Sequence, residues 1–421
     1  MNICLVGVNH NTAPVAIREK VAIGSGKLEG ALQLLHSHAS HGIILSTCNR
    51  TEVYTITNDD SDTETASFNF LRAQADAPAV VLLQHVYFSK DEAAVEHLFR
   101  VASGLDSMIV GEFEILGQVR QSLEIAEKAK LVNLPLRHLL QSAIRTGRRV
   151  REETGISKNA LSVSSVAVDM ATRVVGDLGD CKMLIIGTGE AGRLVAKSAR
   201  DRGISRIVVA SRTQQRASAL AEMLGGTPVS LNNMAEELNT CNIVITCAGS
   251  PRQILDLRHV KQAMKARPDL PLVIIDIAVP RNVAPAVSKL NNVFLYNIDD
   301  LTQISTLNRE QRGEEIHKVE KIMSAELARF ATWWQDFKVR PLIRAMMGKA
   351  EQIRRSHLER TVKKLPPLSD EERYNLEMMT KAIVTKILKD PIDNLKANGH
   401  SNRDYTEMVK ELFQLQEEKR G

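Results

Sequence analysis

The chain has 421 residues, too many for one ordinary core, so two or three domains are expected. Hydrophobic residues make up 43% and charged residues 25%, which excludes a disordered chain, and aromatics at 4% leave the cores to aliphatic side chains. A net charge of +5 permits a nucleic-acid partner without arguing for one. The cysteines Cys4, Cys48, Cys181, Cys241 and Cys247 form no CxxC pair and no zinc-like Cys/His spacing, so free thiols in a reducing compartment are expected and no metal site is. MNICLVGVNH lacks the charged start and longer apolar run of a signal peptide. No stretch approaches the ~18 apolar residues of a membrane span. The expectation is a soluble, cytoplasmic protein that does not engage a membrane.

Along the chain three regions differ in periodicity, which predicts boundaries at 1–158, 159–298 and 299–421. The first mixes short strands (Ile3 to Val8, Gly42 to Ser46, Thr51 to Thr57) with helices such as Asp91 to Ala102, whose Ala94, Val95, Leu98 and Val101 share one face. That order fits an α+β domain. The second alternates strand and helix, with apolar runs at Met183–Ile186, Ile207–Ala210, Ile243–Thr246, Leu272–Ile277 and Val293–Tyr296, and implies a parallel Rossmann-type sheet. In the third, Ile316, Val319, Met323, Leu327, Phe330, Trp334 and Phe337 step by three or four. They predict a long spinal helix from Gln303 to Val339, spanning roughly 50 Å at 1.5 Å per residue. Pro341 and Pro366-Pro367 punctuate the tail. Ser369 and Glu372 have capping-box spacing for a helix through Lys389, and Tyr405, Met408, Leu412 and Leu415 mark a last amphipathic stretch. The tail reads as a helical dimerisation domain, the alternative being a monomeric bundle packed on its own spine.

Gly187-Thr188-Gly189-Glu190-Ala191-Gly192 follows a strand and opens a helix expected over Arg193–Asp201. In that setting the glycines serve a tight turn, close approach to a pyrophosphate, and helix–strand packing, while the helix N-terminus offers N–H groups to phosphate. The next strand ends in Ser211-Arg212-Thr213 with no carboxylate for a ribose 2′-hydroxyl. Arginine and two hydroxyls suit a 2′-phosphate, so NADPH is favoured over NADH.

Ser46-Thr47-Cys48-Asn49-Arg50-Thr51-Glu52 follows an apolar strand. A thiol among hydroxyl, amide and guanidinium groups is expected to have a lowered pKa, which makes Cys48 a candidate nucleophile against the usual reading of cysteine as a small buried hydrophobe. His97 lies beside an apolar helix face, where a lone histidine reads more readily as a structural residue than as a catalytic one. From His97 to Gln118 the chain carries too many small polar residues and glycines for a plain core helix, which suggests a binding surface.

VGVNHNTAPVAIREK (6–20), STCNRTEVY (46–54), HLFRVASGLDSMIVGE (97–112), ILGQV (115–119), the GTGEAG loop, DIAVPRN (276–282) and NIDDL (297–301) together resemble the signature segments of the glutamyl-tRNA reductases. The resemblance implies NADPH-dependent reduction of glutamyl-tRNA(Glu) to glutamate-1-semialdehyde through a cysteinyl thioester, the first committed step toward 5-aminolevulinate and the tetrapyrroles. It also implies a homodimer and, as a further partner, a glutamate-1-semialdehyde aminomutase. By the same resemblance Cys48 is the nucleophile, and His97 is important for activity. Thr47, Cys48, Asn49, Arg50, Ser107, Glu112, Phe113, Glu114 and Gln118 contact substrate, and Gly187 to Gly192 cradle the cofactor. Arg50 is the candidate for a bidentate hold on the substrate carboxylate. Three positions depart from the family pattern: Glu114 where Gln is usual, Asn11 where a basic residue is usual, and Asn282 where Asp is usual.

Since Cys48 and the glycine loop lie about 140 residues apart, the two sites belong to different domains, which must close on each other. The cationic run from Arg145 to Arg151 and a second from Lys349 to Arg360 are candidates for tRNA phosphates, or are solvated helix faces. Two other readings compete: a shikimate-type NADP-dependent dehydrogenase of a small molecule, and a non-enzymatic NADP-sensing RNA-binding protein.

Overall fold

The computed structural model describes residues 2–57, 63–75, 77–158, 162–176, 181–301, 312–398 and 403–415, and its contacts divide the chain into two compact units, Met1–Glu326 and Leu327–Gly421. The first unit holds two sheets. Strands β1 (Asn2–Asn9), β2 (Gly42–Ser46), β3 (Arg50–Thr57) and β4 (Tyr87–Lys90) form an antiparallel sheet in the order β2-β3-β1-β4. β1 reads as a nearly continuous apolar run because both its faces are covered, and Ile3, Leu5, Val6 and Val8 are all buried.

Strands β5 (Lys182–Ile186), β6 (Arg206–Ser211), β7 (Thr227–Ser230), β8 (Ile243–Thr246), β9 (Leu272–Asp276) and β10 (Val293–Asn297) pair in parallel in the order β10-β9-β8-β5-β6-β7. Counted from β5, that is the 3-2-1-4-5-6 order of the doubly wound dinucleotide-binding fold, whose crevice opens between β5 and β8. Each face of the sheet packs its own apolar cluster: Met183, Ile185, Val209, Ile245 and Ile275 on one side, Leu184, Ile186, Val208, Val244 and Ile274 on the other. The sequence reading missed β4 and β7. β4 carries the polar Ser89 and Lys90 at a sheet edge, and β7 contains Pro228, so neither shows a clean apolar run.

The long helix runs over Gly313–Val362, 50 residues and roughly 75 Å at 1.5 Å per residue. The expected start at Gln303 falls outside the described residues. The expected stop before Pro341 is corrected: the helix passes through it, because the apolar stripe runs across it in the buried Val339, Leu342 and Met346. That packing outweighs the one backbone hydrogen bond proline cannot donate. Within the second unit Leu342 and Met346 form a core with Leu388, Leu395 and Val409.

The next helix is capped by a reciprocal Ser369/Glu372 pair (Ser369 N to Glu372 Oε2, 2.8 Å; Glu372 N to Ser369 Oγ, 3.3 Å) and runs over Asp370–Asn398, beyond the expected end at Lys389. It leaves Met379, Ile383 and Ile387, one stripe at i, i+4 spacing, 50–67% exposed. The last helix, Arg403–Leu412, also needs a correction, since it turns Val409 inward with Phe413 and Leu415 behind it and leaves Met408 and Leu412 exposed. The Tyr405 side chain lies outside the described residues. Among the described residues no helix is long and apolar enough to cross a membrane.

Candidate active site

Cys48 stands at the tip of the hairpin that joins β2 to β3, and the sequence Ser46-Thr47-Cys48-Asn49-Arg50 explains the turn. The Thr47 hydroxyl accepts from the Asn49 and Arg50 amides (3.1 and 3.2 Å), while Thr47 N donates to Arg50 O at 2.8 Å. The Asn49 carbonyl is tied to the His10 amide at 2.9 Å. Thr47 thus builds the loop that presents the thiol.

Below the hairpin lies a buried polar network centred on Glu52, whose residue exposure is 0%. Glu52 Oε1 accepts from Arg50 Nη1 (2.7 Å), Tyr87 Oη (2.5 Å) and His97 Nε2 (2.9 Å), and Oε2 accepts from Tyr54 Oη (2.6 Å). The carboxyl is buried, which works against ionisation, yet Arg50, His97 and Tyr54 together hold it far below the usual carboxylate range. Gly7 leaves the room: a Cβ there would stand 2.8 Å from Glu52 Cγ and 2.9 Å from Tyr87 Oη.

Arg50 does not present a free fork. Nη1 also bonds Asp106 Oδ2 at 2.9 Å, and Nη2 donates to the Asp106 carbonyl. The expected bidentate hold on a substrate carboxylate is therefore corrected. In this arrangement both terminal nitrogens bind the protein, because a buried guanidinium must be matched within the fold. His97 uses Nε2 on an ionised carboxylate, so that nitrogen carries the proton and only Nδ1 remains to meet a ligand.

The thiol also differs from expectation. Burial pushes Cys48 up to about 12, with the Glu112 carboxylate raising it further and Arg18 opposing. The polar neighbours named from sequence do not offset this: Arg50 is neutralised by Glu52 and Asp106, and the thiol packs against an apolar cluster that includes Val15, Met108 and Ile109. Glu112 is itself raised to about 7, chiefly by burial. Ser107 lies close enough to pull it down, although the Ser107 hydroxyl has no well-formed hydrogen-bond partner. Around the thiol several buried polar atoms are likewise unmatched: Asn49 Oδ1, His10 Nδ1, and Arg18 Nε and Nη2. Sequence reasoning had not singled out His10 or Arg18. Their burial within an otherwise plain N-terminal motif was the missing signal, and only packing supplies it.

Arg151 ties the segment around Glu112 to its own helix, with Nη1 donating to Ala102 O and Gly147 O and Nη2 to Glu112 O, all at 2.8 Å. It also senses the Glu112 and Glu114 carboxylates, so the extra charge at Glu114 has a basic neighbour. The arginines of the Arg145–Arg151 run have partners within the fold. Arg145 and Arg149 reach the buried Glu326 (3.3 and 3.1 Å), Arg149 also bonds Glu153 (2.5 Å), and Arg148 faces Glu152 (3.9 Å). In the second run Arg354 and Arg355 both bond Glu351 at 2.6 Å.

Phe113, Glu114 and Gln118 line one wall of a cleft of about 790 Å³ whose other wall holds Glu190, Leu194 and Lys197, from the helix that follows the glycine loop. That helix spans Glu190–Asp201, starting three residues earlier than expected, with Gly189 at its cap. Gly187 has φ +128°, and a Cβ on Gly192 would stand 2.2 Å from Gly187 O, so both positions require glycine. A Cβ on Gly189 would meet nothing within 4 Å, which leaves that face of the loop open to a phosphate. Thr188 Oγ1 lies 3.3 Å from Ser211 Oγ, and Arg212 and Thr213 are exposed beyond β6. Narrow at two glycines, open at the third and flanked by an exposed arginine, the loop fits a dinucleotide.

Asn282, one of the departures, is explained by its contacts. Its Oδ1 accepts from Ala248 N (2.9 Å) and its Nδ2 donates to Ala248 O (3.1 Å), a reciprocal clamp that an aspartate could not complete. Asn11 is exposed and its side chain plays no visible part. Cys4, Cys181 and Cys241 are buried as expected, while Cys247 is half-buried beside the glycine loop, with Sγ 3.5 Å from Ile186 O. Among the described residues no group of three or more His, Cys, Asp or Glu is placed to hold a metal ion.

Comparison with known proteins gives the same assignment from three directions. Family models match residues 6–154 (glutamyl-tRNAGlu reductase, N-terminal domain), 169–304 (shikimate/quinate 5-dehydrogenase) and 318–415 (glutamyl-tRNAGlu reductase, dimerisation domain). A glutamyl-tRNA reductase of Desulfatibacillum aliphaticivorans is 36% identical over 100% of this chain and 98% of its own length. One from Natranaerobius thermophilus is 38% identical over 99% and 93%. The solved glutamyl-tRNA reductase from Methanopyrus kandleri is 32% identical, covers 98% of this chain and 99% of its own, and superposes with a TM-score of 0.53. The middle match shows a dehydrogenase-type nucleotide domain, whereas the full-length likeness sets aside a shikimate-type enzyme for the chain as a whole. The chain belongs to the glutamyl-tRNA reductases, a family of oxidoreductases.

Proposed function

We propose that the chain reduces the glutamyl group of glutamyl-tRNA(Glu) to glutamate-1-semialdehyde with NADPH, through a thioester on Cys48. One observation supports this most directly: Cys48, at a hairpin tip of the first sheet, packs against the same apolar cluster as Ala191 of the glycine loop. The hairpin and the nucleotide loop therefore pack against one continuous apolar core although they are far apart in sequence.

In the proposed cycle the Cys48 sulfur, once deprotonated, attacks the ester carbonyl, and the C–O bond to the terminal ribose breaks as that hydroxyl takes up a proton. The loop Gly187 to Gly192 would hold NADPH, which when bound would supply the hydride that the thioester carbonyl takes up. The C–S bond then breaks, freeing the aldehyde and the thiolate. Burial that raises the free thiol is compatible with this cycle only if substrate binding brings a compensating positive charge or displaces the Glu112 carboxylate. Asn49, Ser107 and His10 offer unmatched polar atoms to the glutamyl group. Phe113, Glu114 and Gln118 line the cleft that faces the helix after the glycine loop. His97 acts on the substrate through Nδ1, or positions it through Glu52, and Thr47 and Arg50 hold the loop that carries Cys48. Ser211, Arg212 and Thr213 are proposed to select the 2′-phosphate, and the exposed stripe Met379–Ile383–Ile387 to be covered by a second copy in a homodimer. The labile aldehyde calls for an acceptor such as an aminomutase.

Incubating the purified chain with glutamyl-tRNA and NADPH should oxidise the cofactor and consume the ester, and Cys48→Ser should abolish both; full activity in that variant would contradict the reading. Arg212→Ala should raise the NADPH KM roughly tenfold while leaving the NADH KM nearly unchanged, a difference of about 1.4 kcal/mol.

A further inference from the structure

Three motifs singled out in the sequence, the VAIREK of 15–20, DIAVPRN and NIDDL, meet in space through ion pairs that involve neither the thiol nor the glycine loop. The short helix Val15–Val21 belongs to the first sheet's domain, and it is gripped from the nucleotide domain at two points. Glu19 receives Arg281 three times: Nη2 to Oε1 at 2.6 Å, Nε to Oε2 at 3.0 Å, and the Arg281 amide to Oε2 at 3.1 Å. Asp299, in the turn after β10, accepts the Val15 amide at 2.7 Å on Oδ2 and Arg18 Nη1 at 2.8 Å on Oδ1. The side chains of Glu19 and Arg281 are 19% and 22% exposed, so water screens the pair only partly.

Each grip is wired to one of the reacting partners. Arg18 Nη1 also holds Ala13 O (3.2 Å), at the start of the helix, and the same N-terminal segment carries His10, whose amide binds Asn49 O beside Cys48 (2.9 Å). On the other side Asp276 fixes the 276–283 loop by accepting the Asn282 and Val283 amides (2.8 and 2.9 Å). Asn282 clamps Ala248, the residue whose backbone a Cβ on Gly187 would strike at 2.9 Å.

We propose that Glu19–Arg281 and Arg18–Asp299 form an interdomain latch that sets the distance between the Cys48 hairpin and the nucleotide loop. The latch is needed for reduction of the thioester and not for its formation. It rests on the function proposed above, since only a reaction in two steps separates these demands. The residues act by positioning: acyl transfer to Cys48 needs the first domain alone, whereas reduction needs the second domain in register.

The test compares Glu19→Gln and Arg281→Met with the wild type in the full-length protein, reading hydrolysis of glutamyl-tRNA without cofactor and NADPH oxidation with it. The expected result is a reductase rate lower by roughly 10- to 100-fold with hydrolysis within about twofold, and recovery in the charge-swapped Glu19→Arg/Arg281→Glu chain. Parallel loss of both activities, or loss of neither, would overturn the latch while leaving the proposed function standing. A second readout needs no turnover. Hydrogen exchange at the Val15 amide, which belongs to the other grip, should accelerate in Glu19→Gln if the two act together, and unchanged exchange there would also overturn it. If the wild type neither hydrolyses nor reduces glutamyl-tRNA, the functional reading fails, and exchange at Val15 still decides whether the latch exists.

Discussion

Two polar regions of the first domain adjoin, since Arg50 and Asp106 neighbour Asn49 and Ser107, and they differ in how completely they are matched. Around Glu52 the principal polar groups of Arg50, Tyr54, Tyr87 and His97 are paired on one carboxylate and on Asp106. Around Cys48, buried atoms of His10, Arg18, Asn49 and Ser107 have no partner. A buried polar group left unmatched costs stability, so it persists where something outside the fold completes it, while a matched network rigidifies its surroundings. The contrast supports the proposed reading, with framework in the lower layer and ligand contact in the upper one. Charge content would not have separated them, because the framework holds more ionised groups than the site it supports.

The sharpest way to break this contrast is to unmatch the framework. Glu52→Ala should leave the Arg50 guanidinium buried beside a void and cost about 3–5 kcal/mol, visible as a lower urea midpoint of the first unit. A loss below about 1 kcal/mol would mean that the network is not the framework described.

A middle-sized effect is expected at Glu112, which lies between the layers. Burial raises its pKa from 4.5 to about 7, so the folded state binds that proton more tightly than the unfolded chain does. The stability tied to the protonated form is therefore full below pH 4.5 and is lost as pH rises through about 7. Glu112→Gln should remove this loss, making the variant relatively more stable at pH 8 than at pH 5. It should also speed alkylation of Cys48 at pH 8 by a few-fold, since a neutral amide no longer opposes the thiolate. Alkylation no faster than in the wild type would show that the carboxylate does not control the thiol.

The smallest effect on stability belongs to the upper layer. Ser107→Ala removes an unmatched hydroxyl and should change stability by no more than about 0.5 kcal/mol, or raise it. The KM for glutamyl-tRNA should nevertheless rise several-fold. A variant with unaltered KM would place Ser107 outside the binding surface.

Much of this was legible in the sequence, and the reasons are specific. The parallel sheet could be read because strands buried on both faces, such as Leu272–Asp276, are unbroken apolar runs. The glycine loop could be read because Gly187 and Gly192 admit no side chain. What could not be read depended on partners distant in sequence. Arg50 looked free to bind a carboxylate because Asp106 lies 56 residues away, and the Arg145–Arg151 run looked free because Glu326 lies beyond it by 181 and 177 residues from Arg145 and Arg149. The Cys48 pKa was misjudged in the same way, since local polarity in the chain says nothing of the apolar cluster that the fold brings against the sulfur. Pro341 was read as a stop because local backbone chemistry disfavours it, whereas the buried stripe on both sides carries the helix through.

The most direct test of the upper layer's assignment is to mix the chain with glutamyl-tRNA carrying a labelled glutamyl group, without cofactor, quench in acid, and locate the label by peptide mass spectrometry. The account predicts a thioester on the Cys48 peptide that disappears, with formation of aldehyde, when NADPH is added before the quench. Label on another side chain, or an aldehyde formed at the wild-type rate by a chain lacking the Cys48 sulfur, would contradict it.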